Sequence, residues 1–143
     1  MFSPMGSRSA SAYKQVGVES SVSHASAHAL VSMLFDGLLV AMGSARSAMR
    51  NGDIKGKCGH IVTAVRILEE GLKGALNLEQ GGQLATNLQQ LYGYCVVRLT
   101  QANARNDDAA IAEVIGLIEP VASGWKQIGE ELTPQTTARL QAA

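Results

Sequence analysis

Residues 53–76 read DIKGKCGHIVTAVRILEEGLKGAL. Ile54, Cys58, Ile61, Val65, Leu68, Leu72 and Leu76 recur at intervals of three and four, so they share one narrow arc of a helix with 3.6 residues per turn. One apolar stripe with polar residues elsewhere predicts a surface helix that turns a single face to a core. Gly71 and Gly74 weaken its end, each by up to about 1 kcal/mol relative to alanine.

The same pattern repeats downstream. After the connection Asn77–Gly82, a helix is predicted over 82–105, with Leu84, Leu88, Leu91, Cys95, Leu99 and Ala102 as its stripe. Asn106-Asp107-Asp108 forms a turn with Asp107 as the next cap. A fourth helix is predicted over 108–131 on Ile111, Val114, Ile115, Ile118, Val121, Ala122 and Trp125. Pro120 lies inside it and is expected to kink or locally unwind it, since proline lacks the backbone donor and crowds the preceding turn. The tail after Leu132, TPQTTARLQAA, is expected to be disordered.

Upstream, Asn51-Gly52-Asp53 supplies a glycine for the left-handed position after one helix and an aspartate to cap the next. The helix before it covers Ser26–Arg50 and contains LVSMLFDGLLVAMGSA at 30–45. Here the apolar residues do not keep to one face. Leu30, Leu34, Ala41 and Ala48 are assigned to the core, and Phe35, Leu39 and Met42 to the far side. Asp36 sits in the middle of the stretch, where insertion scales assign about 2.5–3.5 kcal/mol against a membrane span, so no membrane insertion is expected. The N-terminal MFSPMGSRSASAY lacks the basic-then-apolar order of a secretory signal. Residues 1–11 are expected to be disordered, and 12–22, with Tyr13, Val16, Val18 and Val22, to form a short helix or docked arm.

Four long helices joined by short turns predict an all-α fold, an antiparallel up-down four-helix bundle with a short N-terminal helix or arm, in a single domain over 1–143. Formal net charge is zero, which gives nucleic acid no electrostatic footprint. Charged residues make up 17% of the chain, below the usual value of about 25%, and this favours a protein with a partner. Cys58 and Cys95 fall on apolar faces and are expected to be reduced core thiols.

Catalytic and metal signals are weak. His24 and His28 share a helical face but have no third ligand nearby, and Cys58-x-His60 is equally incomplete. Glu-x-x-His is absent, as are a P-loop, a dinucleotide fingerprint and a nucleophile elbow. Asp36 beside Gly37 is better explained as a hydrogen-bonding or capping group than as a base. No enzymatic activity and no cofactor are expected.

The apolar residues outside the core stripes are more informative. Phe35 and Leu39 on the first helix, Ile67 and Val62 on the second, and Tyr94, Val96 and Val97 on the third exceed what one core needs. Apolar residues exposed singly are ordinary, but a set spread over three helices suggests a groove for an amphipathic helix or extended apolar segment. The candidate partner-binding residues are Tyr13 and Val16 on the arm with Phe35, Leu39, Ile67, Tyr94 and Val97. The competing interpretation is an oligomeric structural bundle, such as a homodimer, whose surplus apolar surface is a self-interface.

Several blocks occur in order: AYKQVGVESSVSHAS at 12–26, LVSMLFDG at 30–37, the NGD turn, EQGGQLATNLQQLYGYCVVRLTQANARND at 79–107, EVIGLIEP at 113–120 and GWKQI at 124–128. Together they resemble the flagellin-specific export chaperones, the FliS family, over about residues 12–128. MLFDG at 33–37 and GGQLATNL at 81–88 are the most specific parts. The resemblance implies a small helical-bundle chaperone of the bacterial cytoplasm. It would bind the C-terminal segment of flagellin, prevent premature polymerisation and deliver the client to an export-gate component of the flagellar type III apparatus, without nucleotide. It further implies a client that is disordered when free and partly helical when wrapped around the chaperone, and an N-terminal segment that occupies part of the surface in the client's absence. Three positions depart from the family pattern. Ala27 stands where proline is common before the first long helix, so that helix is free to extend back through His24. Pro120 and Ala10 also differ from the family.

Overall fold

The computed structural model describes residues 24–142, with side chains over 27–130. The expectations for residues 1–11 and for the arm, including Tyr13 and Val16, lie outside the described residues. Four helices follow in order: α1 (His24–Arg50), α2 (Ile54–Arg66), α3 (Leu78–Arg105) and α4 (Asp108–Ala142). A π-helical turn, Ile67–Leu72, continues α2. Among the described residues there is no strand, and the fold is an all-α four-helix bundle.

The turns obey local chemistry. Gly52 adopts φ 71°, the left-handed conformation that L side chains disfavour, and Asp53 caps α2 by accepting the Gly56 N–H at 2.9 Å. Asn77 caps α3 through Gln80 N–H at 3.0 Å, and Asp107 accepts Ala110 N–H at 3.2 Å. Asn106, at φ 52°, ends α3 in the left-handed position that asparagine tolerates. Gly82 breaks the start of α3 with φ 58° and ψ −137°, so the unbroken helix begins just beyond it, close to the predicted position 82.

The described residues divide into two compact units, one spanning Val31–Trp125 and the other the flanking stretches, up to Leu30 and from Lys126 onward. In the first, all four helices pack around one core. Neighbours run antiparallel: Leu34 on α1 meets Gly71 and Gly37 meets Ile67, while Cys58 and Lys57 on α2 meet Asn103 on α3. Tyr94 and Arg98 on α3 reach Glu113 on α4, and Asp108 on α4 returns to Arg46 on α1. In the second unit, His28 lies so close to Gly129 that a Cβ there would come within 2.4 Å of its ring.

Some expectations need correction. On α1 the buried face is Phe35, Leu38, Ala41, Met42, Ala45 and Ala48. It is rotated toward Phe35 and Met42 from the predicted Leu30–Leu34–Ala41 stripe. Bulky Phe35 and Met42 fill the interior, whereas Leu30 and Leu34 are half-buried. Two neighbouring helices flank α1, so its buried arc is wider than a single stripe. α1 is also the one described helix long and apolar enough to cross a membrane, though Phe35, Leu38 and Met42 along it lie in the protein core.

Ile54 and Leu84, predicted as core, are 53% and 68% exposed. Each belongs to the first turns of its helix, where few neighbours remain to cover it. α4 passes Pro120 without interruption and runs to Ala142, beyond the predicted end near 131. Pro120 is exposed, and its i−4 partner is the exposed Gly116, whose unpaired carbonyl can turn to water. Both cysteines are free thiols, Cys95 buried and Cys58 half-buried with its Sγ 3.3 Å from Asn103 Oδ1.

Candidate functional site

The two ends of the Val31–Trp125 bundle differ in chemistry. The end formed by the α1–α2 and α3–α4 turns is tied with polar contacts. Arg46 binds Asp108 through both guanidinium and carboxylate arms at 2.8 and 2.9 Å, and Arg50 stands 3.8 Å from the same carboxylate. This pairing holds Asp108 below the usual carboxylate range. Lys57, only 3% exposed, donates to the Asn103 carbonyl at 2.9 Å and to Asn106 Oδ1. A cation there suits the negative end of the α3 dipole.

The other end is apolar. From Phe35 to Arg46, 11 residues along α1 span about 16 Å. At the Phe35 end all four helices line a pocket of about 80 Å³: Val31 and Phe35 from α1, Leu72, Ala75 and Leu76 from the π turn and its exit, Leu88 and Tyr92 from α3, and Val121 and Trp125 from α4. Burial pushes the Tyr92 hydroxyl up to about 12, with the nearby Cys95 adding to the shift. Burial likewise pushes the Cys95 thiol up to about 11. Both are neutral groups near pH 7 and offer neither a base nor a nucleophile.

The outer surface carries a second apolar population. Met33 and Val40 on α1, Val62 on α2, and Leu78, Leu84, Tyr94 and Val97 on α3 are all exposed. Beside Tyr94 and Val97, a polar bridge ties α3 to α4. Glu113 accepts from the Tyr94 hydroxyl and, at 2.9–3.0 Å, from the Arg98 guanidinium, and these bonds hold its carboxyl below the usual range.

The predicted partner-binding residues therefore fall into different environments. Phe35, expected on the far side of α1, is 2% exposed and forms part of the pocket wall. Leu39 and Ile67 are half-buried against the core, Ile67 with its Cδ1 3.5 Å from where a Gly37 Cβ would stand. Tyr94 and Val97 are exposed, three residues apart on α3. The structure does not join Phe35 to Tyr94 and Val97 in one exposed groove.

Sequence reasoning missed the pocket-lining roles of Trp125, which periodicity marks only as part of its core stripe, and of Tyr92, which lies outside the predicted stripe of its helix. It also missed Val40, 68% exposed, although a signal was present. Val40 shares its helical face with Asp36, Gly43 and Ser47, the polar side of α1. Among the described residues, no three His, Cys, Asp or Glu side chains are grouped to hold a metal ion.

Comparison with known proteins adds an independent line. The family model described as flagellar protein FliS matches residues 9–132. The flagellar secretion chaperone FliS of Salmonella typhimurium is 48% identical over 124 residues, covering 87% of this chain and 92% of that protein. Its Escherichia coli counterpart is 45% identical over 116 residues, 81% of this chain and 85% of that protein. Similarity extends to the Bacillus subtilis protein of the same description, 33% identical over 109 residues, 76% of this chain and 80% of that protein.

Proposed function

The chain belongs to the FliS family of flagellar secretion chaperones, not of enzymes, and we propose that its client is the C-terminal segment of flagellin, held in the bacterial cytoplasm until export. The observation that carries this is the spread of exposed apolar side chains over α1, α2 and α3 of the bundle. A folded enzyme gains nothing from exposing Val40, Leu84 and Val97, whereas a cover for an apolar assembly segment needs such contacts along its length. Ordering a disordered client consumes about 2–5 kcal/mol or more of the interaction energy, so many contacts must be spread along the track.

Bound in this way, flagellin is withheld from premature polymerisation, because the surface it uses for assembly lies against the chaperone. Handover to an export-gate component then completes delivery. No step requires a nucleotide.

Calorimetric titration of the full chain with a synthetic C-terminal segment of the host's flagellin tests the proposal. Binding at one-to-one stoichiometry is expected. Val97→Asp and Leu84→Asp should each weaken it about tenfold or more, since an apolar contact of this size is worth about 1.5–3 kcal/mol. Their far-ultraviolet circular dichroism should stay at the wild-type level. A chain that ignores the segment and scatters light as a stable homodimer buried through α1 would instead make the apolar surface a self-interface.

A further inference from the structure

The π turn stands where the pocket wall begins. The Lys73 N–H donates to the Leu68 carbonyl, five residues back, at 2.9 Å. The Ala75 N–H is then shared between Gly71 and Leu72 carbonyls at 3.0 and 3.3 Å, and the Leu76 N–H bonds Lys73 at 3.2 Å. Hydrogen bonding thus tightens from five residues to four to three within one turn. Leu72, the last residue of the wide turn, and Ala75 and Leu76 just beyond it form one wall of the apolar pocket.

From this we infer that Ile67–Leu72 is a register switch that sets the opening of the pocket. In the alternative α register the Lys73 N–H bonds Glu69 instead of Leu68, so a donor keeps an acceptor in both states. Taking one residue out of the turn rotates the segment between it and Gly82 by about 100° and shifts it by about 1.5 Å. Ala75 and Leu76 then leave the wall, and the pocket opens to an apolar side chain.

Local features fit two registers. Lys73 and Glu69 already form an ion pair at 3.2 Å with the four-residue spacing natural to an α-helix. Gly74 carries no side chain where a Cβ would meet the Glu70 carbonyl at 2.5 Å, and Gly71 lies against Leu34, whose methyls would stand 3.0 and 3.2 Å from a Cβ. Beyond the turn, Gly82 at φ 58° gives the chain a second point of conformational freedom before α3. π turns inside α-helices recur at functional sites, and packed helices switch between discrete arrangements more readily than they deform continuously. The motion itself does not depend on the client; its use in client capture rests on the role proposed above.

Relaxation-dispersion NMR on the free full-length chain, with leucine methyls and backbone amides labelled, reads the motion directly. Exchange on the microsecond-to-millisecond scale, with one shared rate at Leu72, Leu76 and the amides of 70–76, is the expected result. Deleting Glu70 removes the extra residue while keeping Leu68, Leu72 and Leu76 in line, and should abolish that exchange in a folded protein. Should the deletion fail to fold, Gly71→Ala presses on Leu34 in the π register and should raise the minor population several-fold. A wild-type chain without exchange at 70–76, or exchange unchanged in the variant, overturns the switch. The flagellin titration is separate: binding without exchange removes only the switch, and exchange without binding removes only the client.

Discussion

Lys57 is the buried charge of this bundle's polar end, and its amine is justified by two acceptors at the end of α3. Lys57→Met keeps the apolar stem but leaves the Asn103 carbonyl without that donor. A loss of about 1–3 kcal/mol is expected, read as a lower urea midpoint at pH 7. A midpoint equal to wild type would show that water replaces the amine without cost. The thiols make a second contrast at this scale. Cys95 is fully buried and its ionisation is displaced up to about 11, whereas Cys58 is partly open. Iodoacetamide at pH 8 should label Cys58 first and reach Cys95 only in denaturant, with the modified residue identified by peptide mass.

At the scale of elements, glycines divide by conformation. Gly82 has φ 58° and ψ −137°, a combination essentially closed to other residues, so Gly82→Ala should destabilise the bundle by about 1–3 kcal/mol. Gly116 lies in regular, exposed helix, and a Cβ there meets nothing within 4 Å. Gly116→Ala should therefore stabilise by up to about 1 kcal/mol through its higher helix propensity. Thermal melts of the two variants should move in opposite directions. The caps explain why two element boundaries were legible: Asp53 and Asp107 each satisfy an N–H three residues on, a contact within one turn of chain, whereas Asn77, which caps α3 through Gln80, was assigned to the connection. The π turn was not foreseen, though two successive four-residue intervals, Leu68–Leu72–Leu76, drift off an ideal α stripe and carry its trace.

For the whole molecule, the ion pairs that join helices predict its response to acid. Asp108 links α4 to α1, and Glu113 links α4 to α3, each with its folded-state ionisation displaced downward by its hydrogen-bonding partners. A depressed carboxylate contributes stability above its unfolded value, about pH 4, and loses it as pH falls through the folded one. Urea stability should thus decline below about pH 4. The double variant Asp108→Asn with Glu113→Gln should lose less between pH 7 and pH 3 than wild type does. Because these pairs are partly exposed, screening by salt should shrink the difference further.

Helix number and order, the Asp53 and Asp107 caps with their turns, and the family could all be taken from the sequence itself, since they rest on interactions within a few residues of chain or on ordered motifs. Which arc of each helix is buried was a different matter. The sequence divided α1 between Leu34 and Phe35 and chose the wrong side for Phe35, because the angle of burial depends on where the neighbouring helices lie. The exposure of Ile54 and Leu84, the passage of α4 through Pro120 and the pocket shared by Phe35, Tyr92 and Trp125 were likewise decided by tertiary packing. Each requires side chains from different helices to compete for the same space, and periodicity along one helix contains no information about that competition.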